Sequence, residues 1–122
     1  MREGVELLKS NSEAMIAFRL MNRAMFTQQQ RSRLMLRKLD GAAIKPVDSG
    51  MENKWRAFQL GFILMNLASV TDPDHEDRDL VELIWFPTGG GKTEAYLGLA
   101  AFTILMRRLR NEGGGTTVLM RY

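Results

Sequence analysis

Apolar residues recur along the chain in several rhythms, and each predicts a different element. Behind Glu13, Phe18, Met21 and Met25 fall at i, i+3 and i+7, the spacing of one helix face. Ser10-Asn11-Ser12-Glu13 has the form of a capping box, so a helix should start there and run toward Gln28 or beyond. A second such box, Ser49-Gly50-Met51-Glu52, introduces a helix that reaches about Leu67. Residues 80–86 are a short apolar and aromatic run with one charge, Glu82, which is the pattern of a strand buried in a parallel sheet. Pro87 stops that run, because proline has no N–H to give to a ladder.

Residues 93–106 are apolar on nearly all sides, which predicts a helix packed between a sheet and other elements. Arg107, Arg108 and Arg110 fall in its last turn, where they complement the helix dipole, and Asn111-Glu112-Gly113-Gly114-Gly115 ends it. Thr116-Thr117-Val118-Leu119-Met120 is β-branched at its start and reads as a second strand. Strand, glycine loop, helix and strand form one parallel βαβ unit with a right-handed crossover, so the expected fold class is α/β with a P-loop. The helical segment covers residues 1–40. Residues 41–50, with two glycines and Pro46, form the linker, and residues 51–122 begin the nucleotide-binding lobe.

The junction of strand and helix carries the chemistry. Thr88, Gly89, Gly90, Gly91, Lys92 and Thr93 read as a phosphate-binding loop, although Phe86 stands where the strict G-x-x-x-x-G-K-[ST] pattern has its first glycine. Glycines reach positive φ freely, so successive N–H groups converge on one anion, and the helix N-terminus adds partial positive charge there. Lys92 would lie against the β- and γ-phosphates and is the candidate catalytic residue; the Thr93 hydroxyl would ligate Mg²⁺. A flexible glycine turn before an ordinary helix is the plainer reading of the same residues. Upstream, Phe58 offers a ring for stacking and Gln59 an amide that can donate to and accept from adenine, which makes ATP the expected nucleotide. The alternative for Gln59 is the wet side of an amphipathic helix.

Composition narrows the class without naming the chemistry. No apolar run is long enough for a membrane span, and the first residues lack the apolar core of a signal peptide. The absence of cysteine excludes disulfides and thiolate metal sites and fits a reducing cytoplasm. The nine methionines sit among leucines at helical spacings and read as core fillers. The net charge of +3 is uneven: residues 1–40 hold eight Lys/Arg against four Asp/Glu, and the rest hold nine against ten. Arg31, Arg33, Arg37 and Lys38 are the densest basic stretch, which fits a solvated helix face at least as well as contact with a phosphate backbone. Asp72, Asp74, Glu76, Asp77 and Asp79 lack the glycine and bidentate glutamate of a calcium loop, and read as solvated; His75 has no histidine partner.

Residues 86–94, ending in Glu94, resemble motif I of superfamily 2 helicases, and Arg56-Ala57-Phe58-Gln59 resembles their Q-motif. More narrowly, residues 85–98, Arg107-Arg108-Leu109-Arg110 and Val118-Leu119-Met120-Arg121-Tyr122 are similar to the helicase subunit of the DISARM anti-phage defence system. The resemblance implies an incomplete RecA-like P-loop domain and an ATP-dependent DNA helicase or translocase. It also implies a bacterial, cytoplasmic protein with partner subunits in a phage-defence complex. It adds Arg56 and Glu94 to the nucleotide site, and Arg121 and Tyr122 as the start of a nucleic-acid-contacting motif. Only 29 residues follow Thr93, and none supplies a strand ending in an acid to hold Mg²⁺ and orient water. The chain is therefore expected to be the front of a longer protein, able to bind ATP but not to hydrolyse it, with poor solubility alone. A P-loop switch or kinase that never touches nucleic acid is the other class these residues allow.

Overall fold

The computed structural model describes residues 1–39, 54–87, 89–112 and 117–119. They form four helices: α1 (Arg2–Ser10), α2 (Ser12–Leu39), α3 (Ala57–Thr71) and α4 (Lys92–Leu109). Among the described residues there is no strand and no sheet. The expected α/β class, with its parallel βαβ unit and incomplete RecA-like domain, is thereby corrected to an all-helical arrangement.

Why the helices formed and the strands did not follows from where backbone hydrogen bonds go. A helix satisfies its own N–H and C=O groups, so an apolar stripe and one neighbour suffice. A strand satisfies nothing without a partner, and a parallel pair of short segments is weak by itself. Residues 80–87 carry no regular structure here, and neither do residues 117–119, the described part of the second expected strand.

Asn11 separates the first two helices with a single residue. Its backbone N–H closes α1 on the Leu7 carbonyl at 2.8 Å. Its side-chain oxygen accepts the Ala14 N–H at 3.0 Å, capping α2. The expected start of this helix is thus right to within a residue or two, but Asn11 rather than Ser10 is the cap, and α1 ahead of it lies within the helical segment expected over residues 1–40 as a separate helix.

The core is built from stripes of matching spacing. On α2, Ala14, Ala17, Met21 and Met25 are buried, and on α4, Ala95, Gly98, Phe102 and Met106 are. Both series run i, i+3, i+7, i+11, with small residues first, so α2 and α4 lie along each other while α1 packs along α3. Ile63 and Leu67 of α3 and Leu8 of α1 complete the cluster. Of the methionines expected to fill the core, Met21, Met25 and Met106 do so, whereas Met1, Met35 and Met65 are exposed. Gly4 makes the α1–α3 crossing possible, because a Cβ there would overlap the Leu64 carbonyl. Asn66 is buried on α3 with its Nδ2 donating to the Phe62 carbonyl at 2.8 Å.

The segment 41–50 and the capping box at 49–52 lie outside the described residues. No helix among the described residues is long and apolar enough to cross a membrane.

Candidate functional site: a braced glycine loop

The glycine loop hangs between residues 80–87, which carry no regular structure, and the first turn of α4. The Gly90 N–H donates to the Pro87 carbonyl at 3.1 Å, closing a four-residue turn. Gly89 and Gly91 both sit at positive φ, 79° and 88°, where a side chain would be strained. At Gly91 a Cβ would also stand 2.7 Å from the Gln59 amide nitrogen. Gly91 is the N-cap of α4 and brings no side chain to cap it. The first-turn N–H groups of α4 are therefore left without a side-chain acceptor.

Three contacts from the start of α3 hold this loop. Arg56 donates from Nη1 to the Gly90 carbonyl at 2.8 Å. Gln59 donates from Nε2 to the Gly91 carbonyl at 2.7 Å, and its Oε1 accepts the Arg56 N–H at 2.8 Å. Phe58 stacks on Phe86 with centroids 4.0 Å apart and planes 12° from parallel. Gln59 is only 5% exposed, so the amide that bridges helix and loop is shielded from water.

These clamps have a consequence for the loop's donors. In a trans peptide the C=O of one residue and the N–H of the next point in opposite directions. Drawing the Gly90 and Gly91 carbonyls toward Arg56 and Gln59 therefore turns the Gly91 and Lys92 N–H groups away from α3. Both donors belong to a helix N-terminus without a side-chain cap, where the helix dipole favours negative charge. Lys92 reaches back and donates from Nζ to the Phe86 carbonyl at 2.5 Å, so its ammonium spans the loop. Thr93 is exposed at the first turn of α4, with the half-buried Glu94 beside it.

The structure thus gathers Arg56, Phe58, Gln59, Gly89, Gly90, Gly91, Lys92 and Glu94 around one turn. Thr88, Arg121 and Tyr122 lie outside the described residues. Sequence reading gave no sign of the brace behind this group: Trp55, one residue ahead of the clamp, donates from Nε1 to Asn22 Oδ1 at 2.6 Å. Its ring also lies against Gly98, where a Cβ would stand 2.8 Å from Cη2. The only hint was the absence of a side chain at position 98 within an otherwise bulky helix.

His75 lies elsewhere. Its Nδ1 accepts the Asp77 N–H at 3.1 Å, which leaves the proton of the neutral ring on Nε2, 3.7 Å from the Glu3 carboxylate. Glu3, His75 and Asp77 are near enough to share an ion. His75 thus stands between Glu3 of α1 and Asp77 of the loop that follows α3.

Loop and helix define a class of site, a glycine turn at positive φ that opens a helix with no side-chain cap. Over 131 aligned residues the chain is 43% identical to DISARM protein DrmA of Bacillus paralicheniformis (strain ATCC 9945a / NCIMB 11709 / CD-2). That alignment takes in 99% of this chain and 12% of the relative, so the resemblance to a DISARM subunit holds along nearly the whole chain and concerns a segment of the longer protein. No family model matches the chain, and no solved structure does.

Proposed function

We propose that the chain is the nucleotide-binding segment of a bacterial phage-defence protein, and that the longer polypeptide is an ATP-dependent DNA helicase or translocase. The observation that supports this is the pair of clamped carbonyls, which turn the Gly91 and Lys92 N–H groups away from α3 at an uncapped helix N-terminus. The glycines suit a triphosphate there: Gly89 and Gly91 already hold positive φ, and Gly90 and Gly91 leave no room for a Cβ against Phe86 and Gln59, so only glycine lets the backbone take this turn.

ATP with Mg²⁺ supplies the phosphoanhydride bond whose cleavage drives movement. In this chain the Gly89, Gly90 and Gly91 backbone receives the β- and γ-phosphates. Lys92 exchanges the Phe86 carbonyl for phosphate oxygens, and the exposed Thr93 hydroxyl is the metal ligand. Arg56 and Gln59 keep the cradle in shape, and Phe58 marks the side on which adenine stacks. Stimulation of turnover by DNA, a cytoplasmic location and partner subunits of a phage-defence complex are parts of the same reading, which the similarity to DISARM protein DrmA supports.

The test is Lys92→Ala in the full-length protein. ATP hydrolysis and ATP-dependent DNA binding should both be lost while the melting temperature is kept. Unchanged turnover would sink the assignment. The 122-residue chain should bind a fluorescent ATP analogue without hydrolysing it, and Gln59→Leu should weaken that binding.

A further inference from the structure

A second cationic site lies at the other end of α4, about 25 Å from the glycine loop along a helix of 18 residues. There the C-terminal ends of α3 and α4 enclose a cavity of ≈ 200 Å³ lined by Thr71, Arg78, Thr103, Arg107, Arg110 and Thr117. Its three guanidinium groups come from the loop after α3, the last turn of α4 and the residue that closes it.

None of these cations is saturated by the contacts it makes. Arg78 gives one N–H to the Ser69 carbonyl at 2.7 Å, and Arg110 gives one to the Thr71 carbonyl at 2.6 Å. Each guanidinium has five N–H groups to give. The carboxylates nearby form loose ion pairs with two of them: Arg107 Nε lies 3.7 Å from Glu112, Arg110 Nη1 lies 3.7 Å from Glu112, and Arg110 Nε lies 3.6 Å from Glu13. All three distances exceed a hydrogen bond. On the cavity wall Thr71 is 5% exposed, and its buried Oγ1 has no hydrogen-bond partner. A buried hydroxyl without a partner is uncommon in a folded protein, and here it marks a wall of the cavity whose hydrogen bonding the chain leaves incomplete.

Three cations approaching from different directions, with a hydroxyl among them, match an anion whose oxygens point several ways. We infer that this cavity binds a phosphate group, held by Arg78, Arg107 and Arg110 with the Thr71 hydroxyl, at a site separate from the glycine loop. A tetrahedral phosphate offers an oxygen to each guanidinium and another to the hydroxyl, which a planar carboxylate does not. Glu112, which also lines the cavity, competes with it for Arg107 and Arg110. The phosphate comes either free in solution or from a nucleic-acid backbone.

The experiment uses the full chain carrying Lys92→Ala, which removes the glycine loop's side-chain cation, as the reference against which each further variant is read. Equilibrium dialysis with labelled inorganic phosphate, and anisotropy of single-stranded and duplex DNA oligonucleotides, read the two sources. Arg107→Gln should weaken binding about tenfold and Thr71→Val about threefold, whereas Glu112→Gln should tighten it about threefold by removing the competitor. Glu112 is exposed, so its variant threatens the fold least, and tightening is a result that a purely structural role does not produce. Effects on inorganic phosphate alone assign the site to free phosphate. Effects on the oligonucleotides too, with a salt slope lower by about one in Arg107→Gln, assign it to the backbone. Absence of phosphate binding in the Lys92→Ala chain overturns the inference, as does binding by either probe that ignores both Arg107→Gln and Glu112→Gln.

Discussion

Residues 80–86 and the middle of α4 have much the same apolar character, yet the chain treats them in opposite ways. Phe102 and Met106 of α4 are 0% and 3% exposed, whereas Val81 and Trp85 are 95% and 88% exposed. Hydrophobicity alone does not bury a segment. The α4 stripe is buried because its helix closes its own hydrogen bonds and can be pressed against α2 as a finished rod. The run at 80–86 would need a neighbouring strand before its side chains could share a core, and none stands beside it among the described residues. The glycine loop sits where the two regimes meet, anchored on the helical side by Arg56 and Gln59.

The contrast can be broken by unequal truncations. Phe102 is fully buried, so Phe102→Ala should cost about 3–5 kcal/mol in urea unfolding followed by circular dichroism; a loss below about 1 kcal/mol would mean that the α2–α4 core is not packed as described. Gly4→Ala comes next. Its methyl would overlap the Leu64 backbone, so despite better helix propensity it should destabilise by about 1–3 kcal/mol, and a gain in stability would contradict the α1–α3 crossing. Trp55→Phe loses both the 2.6 Å bond to Asn22 and the Cη2 and Cζ2 atoms that lie against Gly98, a change of about 1–3 kcal/mol. A double-mutant cycle with Asn22→Ala sharpens it, since the two losses should fail to add. Smallest of all, Trp85→Ser should leave stability within about 0.5 kcal/mol. It should also raise the concentration at which light scattering detects aggregation, because it removes an exposed apolar side chain. A loss near that of Phe102→Ala would show residues 80–86 to be packed after all.

The helices were legible because their signals are local. The stripe through Met21 and Met25, the polar cap near residue 11 and the arginines closing α4 each act within a turn or two of chain. The helix that begins α3 was expected from its second capping box to start earlier than Ala57, and the residues of that box lie outside the described ones. The strands were misread because period and composition report what a segment can bury, not whether a ladder partner exists. At the site, the glycines and Lys92 were recognisable by type and order. What Gln59, Arg56 and Phe58 touch was not, since their contacts cross more than 25 residues of chain: Gln59 meets Gly91, Arg56 meets Gly90 and Phe58 meets Phe86.

From the amino-acid order alone came three helical stretches and a glycine loop opening a helix, all features governed by neighbouring residues. Tertiary packing decided the rest. It left residues 80–86 without a sheet, turned two loop carbonyls toward α3, and brought Arg78, Arg107 and Arg110 around the unpartnered Thr71 hydroxyl. The physical reason is common to all three. A strand, a clamped carbonyl and a cluster of cations are each completed by groups distant in sequence, and only the folded chain sets which groups those are.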